Sequence, residues 1–192
     1  MKAALGAENC LFPMPTVLVG ANVNGKPNYM AVAWCGVMDS DFISVAIGRT
    51  RHTYAGIKEN KTFSVNIPSF EMLKETDYCG IVSGKDVDKT ALFENFYGKL
   101  RTAPMIQECP VNMECRLVQT IEFLPAQDVF IGEIVGTYCD DKYLTKNVVD
   151  FAKVQPILFV GTDNTTTKSS VTTKSSAILK GALTHHSRNR HR

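Results

Sequence analysis

The sequence is poor in the residues and motifs from which many catalytic and metal sites are built. Before residue 162 it contains a single histidine, His52. A multi-histidine metal site is therefore excluded from this part of the chain, and a Ser-His-Asp triad would have to use His52. The motifs H-E-x-x-H and G-x-S-x-G are absent, as are the nucleotide-binding loops G-x-x-x-x-G-K-[ST] and G-x-G-x-x-G.

Cysteine usage and hydropathy predict a protein of a reducing compartment. None of the six cysteines forms a C-x-x-C pair, and a chain of 192 residues with 44% hydrophobic residues does not need a disulfide framework. The start, "MKAALGAENCLF", lacks the apolar stretch of a signal peptide, and no run approaches the ~20 apolar residues of a membrane helix. We therefore expect free thiols, a cytoplasmic location and no membrane association.

Charge is distributed unevenly along the chain. The formal net charge is +2, but residues 162–192 are strongly basic and hold one acidic residue, Asp163. Residues 1–161 are therefore mildly acidic, which gives no reason to expect nucleic-acid binding. The last segment repeats TTKSS and is rich in Thr, Ser and Lys, which predicts a flexible tail. A tail foreign to the natural protein and a functional basic arm are both open interpretations.

The first half predicts a hairpin and two further strands. Residues 16–21 and 29–34 form the hairpin, and Asn24-Gly25 is a favoured pair for its turn because both positions need a positive φ. Apolar segments at 43–48 and 61–68 predict the next strands.

The second half contains longer strands. Residues 111–123 alternate apolar and polar side chains, residues 128–138 follow a turn at 125–127, and a last buried strand is predicted at 156–161. Helices are predicted at 51–60 with Thr50 as N-cap, and at 69–81, 88–96 and 148–154. Because most strands are sequence neighbours with few helices between them, an antiparallel barrel is favoured over a doubly wound sheet.

A helix beginning near Thr50 would create an anion site at its first turn. The first N–H groups of a helix lack partners, and the helix dipole favours an anion there. Arg51 adds a planar guanidinium suited to phosphate, and Thr53 adds a hydroxyl donor. The alternative is a solvated first turn, although cations at this end oppose the dipole.

The strands next to this turn offer room for a flat ring. They have little side-chain bulk at Ala31, Ala33, Ala46 and Gly48. Trp34, the only tryptophan, could stack on such a ring or border it, and Asn28 could bind its polar edge. A tryptophan of the core or of a dimer interface explains Trp34 equally well.

These motifs together resemble the flavin reductase-like family of FMN-binding split barrels, and most closely its flavoredoxin group. Members carry N-x-M-[TA]-x-[AS]-W, then R-x-T-Y and V-N-[IL]-P, which this chain matches at 28–34, 51–54 and 65–68. Further matches are "DYCGIVSGKDVDK" and "CPVNMECRLVQTIEF", and the resemblance covers about residues 9–161. The family's tyrosine-rich segment after the last strand is replaced here by the Thr/Ser/Lys tail.

The resemblance implies a mainly β fold with short helices. Residues 1–161 would form a six-stranded antiparallel Greek-key split β-barrel that dimerises and holds FMN near the dimer interface, followed by the tail at 162–192. The implied cofactor-binding residues are Asn28, Ala31, Val32, Ala33, Trp34, Ile47, Gly48, Arg51, His52, Thr53, Asn66, Ile67, Gly84, Lys85 and Lys89. Asn28 and Trp34 would lie beside the isoalloxazine, Arg51, Thr53 and Lys89 would serve the phosphate, and the backbone of Asn66-Ile67 would contact the ring edge.

Two redox functions and one non-redox function follow from this resemblance. The first is an FMN-binding flavoprotein of the flavoredoxin type that transfers electrons between redox partners, and the second is an NAD(P)H-dependent flavin reductase. The third is a scaffold that has lost its cofactor. We favour the flavoredoxin type, a flavin-dependent oxidoreductase acting as a homodimer, with a redox protein or NAD(P)H as partner. No catalytic side chain and no metal ligand is predicted.

Overall fold

The computed structural model describes residues 1–122, 125–162 and 169–172, and it is mainly β with a few short helices. The α-helices are α1 (His52–Asn60), α2 (Leu73–Ile81) and α3 (Phe151–Val154). The strands are β1 (Met14–Pro15), β2 (Val17–Val23), β3 (Lys26–Val32), β4 (Cys35–Asp39), β5 (Phe42–Gly48), β6 (Thr62–Ile67), β7 (Asn95–Phe96), β8 (Met105–Ile106), β9 (Val111–Ile121), β10 (Gln127–Cys139), β11 (Leu144–Thr145), β12 (Val148–Val149), β13 (Leu158–Thr162) and β14 (Ser169–Thr172).

The main sheet has seven antiparallel strands in the order β3-β2-β6-β9-β10-β5-β4. Its two edge strands, β3 and β4, are consecutive in the chain and are joined only by Ala33 and Trp34. The sheet must therefore curl until its edges approach each other at this link, where the Ala46 N–H donates to the Trp34 carbonyl at 2.8 Å.

The expected six-stranded Greek-key barrel is not confirmed, because the sheet is open and has seven strands. The strand of the main sheet that sequence analysis missed is β4. Four of its five residues are exposed, so it carries no alternation of buried and exposed side chains. The predicted hairpin of β2 and β3 is confirmed, with Asn24 at φ 51° and Gly25 at φ 77° in the turn.

The core has two clusters of buried residues, one between the strands and α1 and one that includes Cys79 of α2. Its largest fully buried side chains include Tyr29, Phe63 and Phe130. Helix α1 comes so close to β2 that a Cβ at Gly56 would overlap the backbone of Asn22. This close packing fixes the beginning of α1 relative to β3, and both elements contribute to the site described below.

The predicted helix at 88–96 is wrong. Only a 3-10 turn at Thr90–Leu92 forms, and it is followed by β7, which pairs with β8. The Asp88 carboxylate accepts from the N–H of Thr90 at 2.9 Å and from its hydroxyl at 2.6 Å. Asp88 therefore caps a turn, and the segment continues as extended chain.

The other predicted helices are confirmed with changed ends. Helix α1 has Arg51 rather than Thr50 as its N-cap. The segment 69–81 forms a 3-10 turn at Phe70–Met72 and then α2. Of the segment 148–154, the first two residues form β12 and only the last four form α3.

Strand β14 lies within the segment that was predicted to be a tail. Strand β14 pairs with β13, with Leu158 opposite Thr172 and Phe159 opposite Val171. The flexibility of the tail stays a prediction, and the rest of the tail after Thr162 lies outside the described residues. Within the described ranges, no helix is long and apolar enough to cross a membrane.

Candidate functional site

A cleft of about 540 Å³ opens where β3, the end of β5 and helix α2 meet. Its floor is formed by small residues, and α2 forms one wall. The lining residues are Thr16, Met30, Ala31, Val32, Ala33, Trp34, Ala46, Gly48, Arg51, Thr76, Asp77, Gly80, Ile81, Ala126, Gln127 and Phe159.

The alternation along β5 decides which of its residues face the cleft. Ile43, Val45 and Ile47 are buried in the core, whereas Ala46 and Gly48 line the cleft. Ile47 was predicted as a cofactor-binding residue, but its side chain is 1% exposed and packs in the core. Because successive residues of a strand face opposite sides of the sheet, Gly48 lies on the cleft face and the Ile47 side chain lies on the core face.

Trp34 lies at the rim of the cleft and is 47% exposed. Its ring packs against Phe159 with centroids 5.6 Å apart. Cys35 follows directly, and burial raises the pKa of its thiol to about 11, so the thiol stays protonated at neutral pH. Trp34 is therefore a half-exposed cleft residue, and Cys35 is not among the cleft residues.

A small pocket continues from the cleft, and Lys89 lies in it. The Lys89 side chain is 3% exposed, and its Nζ donates to the carbonyl oxygens of Tyr29 at 3.1 Å and Cys79 at 3.2 Å. Burial lowers its pKa. Within residues 1–122 and 125–162, no carboxylate forms an ion pair with Lys89. Because an ammonium has three donors, one N–H bond remains for a ligand.

Asn28 and Thr53 complete the donors of this pocket. The Asn28 amide nitrogen donates to the Thr53 hydroxyl oxygen at 2.7 Å, and both side chains are buried. Since the Thr53 oxygen accepts this bond, its own hydrogen is available to donate to a ligand. Arg51 lines both the cleft and this pocket, and the first N–H groups of α1 lie at the same place.

His52, Gly84 and Lys85 lie on the far side of the pocket. Burial, together with Lys85 and Lys89, lowers the pKa of His52. A Cβ at Gly84 would overlap the Asn28 amide and the His52 ring, so the backbone of this loop packs directly against both side chains. Lys85 lines an outer cavity of about 370 Å³ rather than the pocket itself.

Asn66 and Ile67 do not reach the cleft. They lie in β6, which is separated from β3 by β2. The Asn66 side chain is fully buried, and its amide donates to the Leu18 carbonyl at 2.8 Å. Its backbone is paired with β2 and β9. Neither residue lines this cleft, and their backbone contacts with a ring stay a prediction.

Arg49 and Arg51 are two residues apart, but they lie in different surroundings. Arg49 forms an ion pair with the buried Asp128 at 2.5 Å, and Tyr54 donates its hydroxyl to the same carboxylate at 2.6 Å. The hydrogen bond from Tyr54 and the Arg49 guanidinium lower the pKa of Asp128. Arg49 thus holds the end of β5 to the start of β10, whereas Arg51 faces the cleft.

Two hydroxyl groups of cleft residues were missed by sequence analysis. Thr16 and Thr76 are 6% and 1% exposed, and their hydroxyl oxygens have no hydrogen-bond partner among the described residues. Buried hydroxyls without partners are costly, so they mark positions where a ligand or local rotation completes the hydrogen bonding. No sequence signal identifies them, because threonine is common in strands and helices alike.

The cleft offers a flat ring a floor of small residues, and the adjoining pocket offers an anion several donors. Among the described residues, no group of His, Cys, Asp and Glu side chains could hold a metal ion. The arrangement therefore suits an organic ligand with an anionic group at one end.

The comparisons with known proteins agree with this geometry. The chain is 43% identical to the flavoredoxin of Methanosarcina acetivorans, with a TM-score of 0.84 and 92% of each chain covered. It is 32% identical to the flavoredoxin of Desulfovibrio vulgaris (Miyazaki F), with a TM-score of 0.81 and 92% and 94% of the two chains covered. An uncharacterized protein of Archaeoglobus fulgidus is 35% identical over 140 residues, which are 69% of this chain and 76% of that protein.

The family model described as "Flavin reductase like domain" matches residues 9–163. This range includes β1 to β13 and every residue of the cleft, the small pocket and the outer cavity. The chain therefore belongs to the flavin reductase-like family, with flavoredoxins among its relatives.

Proposed function

We propose that this protein is an FMN-binding flavoprotein that transfers electrons between redox partners. The observation that carries the proposal is the buried Lys89 ammonium, which has no carboxylate partner within the described ranges and lies next to a cleft of about 540 Å³. A buried charge is costly unless it is paired. The phosphate of FMN supplies the missing counter-charge.

The donor set fits a phosphate. Lys89 and Arg51 provide two positive charges, the Thr53 hydroxyl provides an oriented donor, and the N-terminus of α1 provides backbone N–H groups. Each charged hydrogen bond of this kind contributes about 1.5–3 kcal/mol. The three kinds of donor lie in one pocket, so they can bind a single anionic group together.

The cleft fits the ring of the same ligand. Ala31, Ala33 and Ala46 leave space for a flat ring near the backbone, and Trp34 borders it. The hydroxyls of Thr16 and Thr76 lack partners within the described part of the chain, and they offer hydrogen bonds to polar ring atoms after rotation about χ1. FMN would supply the redox chemistry, and this chain would bind it, orient it and exclude water from one side.

We also propose that the protein acts as a homodimer in the cytoplasm. Trp34, Val37 and Met38 expose apolar surface along the rim of the cleft and on edge strand β4. An edge strand with free backbone groups and apolar side chains favours pairing with another chain. A second copy or a redox protein partner would cover this surface.

An NAD(P)H-dependent flavin reductase is the second candidate, and the family match favours it. The scaffold without a cofactor is disfavoured, because Lys89 would then keep a buried charge that no ligand compensates.

Two measurements test these functions. Purified protein, or protein mixed with FMN, should be yellow and bind FMN far more tightly than riboflavin. A protein that stays colourless with added FMN would exclude both redox functions.

In the second measurement, the holoprotein is mixed in the absence of oxygen with NADH, NADPH or a reduced ferredoxin-type protein. Fast bleaching of flavin absorbance by a nicotinamide, with turnover on free flavin, would favour the reductase; fast bleaching only by the protein donor would favour the electron carrier.

A further inference from the structure

His52 is the only histidine before residue 162, and the function proposed above gives its side chain no task. It is the first residue of α1 after the N-cap, and it lines both the small pocket and the outer cavity. The small pocket has a volume of about 20 Å³, which admits one group of the size of a water molecule or a phosphate oxygen. An oxygen placed there would lie beside His52, Thr53 and Lys89.

The ring of His52 is held between α1 and the loop that contains Gly84. A Cβ at Gly84 would come within 2.9 Å of the His52 Cδ2 atom, so the backbone of the loop packs against the ring. In the part of the chain that the structure describes, the ring nitrogens make no hydrogen bond and no carboxylate forms an ion pair with them. The ring is therefore fixed in place, but its nitrogens remain able to bind a proton and to donate to a ligand.

The charged groups around His52 are mostly cationic. The polar and titratable groups that share its two spaces are Arg51, Thr53, Lys26, Asn28, Cys79, Ser83, Lys85, Asp86, Asp88 and Lys89. Asp88 pairs with Lys26 at 3.3 Å, so Asp86 is the carboxylate that remains against the other cations. Burial and the charges of Lys85 and Lys89 lower the pKa of His52, so the ring is mostly neutral at pH 7 in the apoprotein.

A phosphate dianion in the small pocket would reverse this balance. An opposite charge close to an ionisable group favours its charged form, and a phosphate monoester carries close to two negative charges above its second pKa, about 6. The dianion would compensate the charges of Lys85 and Lys89, and protonated His52 would add a charge-assisted donor to the site. The proton comes from the solvent.

We infer that His52 takes up a proton when the phosphate of FMN binds, so that this residue couples the affinity for flavin to pH. The inference rests on the proposed flavin site. A group whose pKa is raised by a ligand strengthens binding below its pKa in the complex, and this gain is lost as the pH rises through that pKa. The affinity for FMN should therefore fall between about pH 6.5 and pH 8, a range in which the phosphate stays mainly dianionic.

Affinity titrations with FMN and riboflavin across this range test the coupling. The wild type should bind FMN about three- to tenfold more tightly at pH 6.5 than at pH 8, as expected for a histidine that becomes protonated on binding. His52→Gln keeps a hydrogen-bond donor but cannot ionise, so it should lose most of this dependence. Burial also lowers the pKa of Lys89, but Lys89 is present in both proteins, so the difference between their curves belongs to His52. Riboflavin affinity should not depend on pH in either protein.

Proton NMR of the histidine rings measures the ionisation itself, without turnover of the flavin. The signal that is missing from His52→Gln identifies His52, and its titration midpoint in the wild type should rise when FMN is added. Lys85→Ala removes a cation that acts on the ring, so it should raise the midpoint of the apoprotein. The matched control is Lys142→Ala, which removes an exposed lysine that lines none of the three spaces and should leave the midpoint unchanged.

The outcomes separate this inference from the proposed function. An FMN affinity of the wild type that does not change with pH, an equal pH dependence in His52→Gln, or a His52 midpoint that FMN does not raise would overturn the inference and leave the proposed function standing. Absence of FMN binding, or equal affinities for FMN and riboflavin at every pH, would overturn both.

Discussion

The polar core around Asn66 and the pocket around Lys89 are both buried, but they differ in how completely their hydrogen bonds are made. Asn66 donates to Leu18 and Ser64 and accepts from the N–H of Ile106 and from Asn112, at distances of 2.8–3.1 Å. In the pocket, Lys89 and Thr53 each keep a donor for a ligand. A complete network stabilises the fold by itself, whereas an incomplete one is completed by what binds there.

This comparison predicts a large difference in stability between two asparagine variants. Asn66→Ala should lower the free energy of unfolding of the apoprotein by about 3–4 kcal/mol, because several buried partners lose their hydrogen bonds at once. Asn28→Ala removes one hydrogen bond to Thr53 and should cost about 1 kcal/mol. Urea unfolding of both variants measures the two losses. Similar values would show that the two networks do not differ as described.

A substitution in the pocket around Lys89 should affect the affinity for FMN more than it affects stability. Lys89→Met should weaken FMN about tenfold to a hundredfold, because a charged phosphate contact is lost. The unfolding free energy of the apoprotein should change by less than about 1 kcal/mol, since removal of a buried charge offsets the loss of two carbonyl contacts.

Riboflavin and a second lysine variant sharpen this prediction. Riboflavin lacks the phosphate, so it should bind the wild type and Lys89→Met about equally. Lys58→Met removes a lysine that pairs with Glu122 on the outer surface of α1 and should leave FMN affinity unchanged. An equal loss for riboflavin and FMN in Lys89→Met would place Lys89 at the ring rather than at the phosphate.

Some features of the fold and of the candidate site depend on neighbouring residues in the sequence and could be predicted from it. The hairpin turn at Asn24-Gly25 depends on neighbouring residues, so the sequence predicts it, and it predicts the start of α1 to within one residue, with Thr50 instead of Arg51 as N-cap. Likewise, small residues in strands that flank a helix start predict the cleft floor at Ala31, Ala33 and Gly48. The family resemblance, rather than periodicity, brings in Lys89.

Other features depend on contacts between distant segments. Asn66 lies in the V-N-I-P motif, but the sequence does not show that its side chain forms hydrogen bonds with Leu18, Ile106 and Asn112, which belong to distant segments. The same holds for Ile47, whose face is set by the register of β5. The failure of the helix at 88–96 has a local cause, the capping of Thr90 by Asp88, but a buried Lys89 and the pairing of β7 with β8 reinforce it.

A third region, around the buried Asp128, should have a smaller effect on stability that depends on pH. Hydrogen bonding from Tyr54 and the Arg49 guanidinium lower the pKa of Asp128. A carboxyl group with a lowered pKa in the folded state adds stability above its unfolded pKa, about 3.9, and this stability is lost as the pH falls through the folded pKa. The wild type should therefore lose stability below about pH 4, and Asp128→Asn should be less stable at pH 7 with a flatter acid dependence.

Thermal unfolding at a series of pH values measures this dependence. Asp39→Asn is the matched control, because Asp39 is exposed and accepts only from the N–H of Ser40 within the described residues. It should follow the wild-type curve. A parallel curve for Asp128→Asn, shifted but equally steep in acid, would show that other carboxyl groups cause the acid response.

The smallest effects on FMN affinity and melting temperature are expected from the removal of β14, which pairs with β13. Strand β13 carries Phe159, which lines the cleft, and it is held by β1 on one side and β14 on the other. Truncation after Thr162 removes β14 but keeps the pairing of Met14 with Phe159. Because net hydrogen bonds contribute about 0.5–1.5 kcal/mol each and β1 remains, FMN affinity should change less than about threefold, and the melting temperature should fall by a few degrees.

Val171→Pro, which removes one backbone donor opposite Phe159 in the full-length chain, should reproduce part of this shift in melting temperature. Release of FMN by the truncated protein would instead mean that β14 holds Phe159 and Trp34 in the positions that bind the ring.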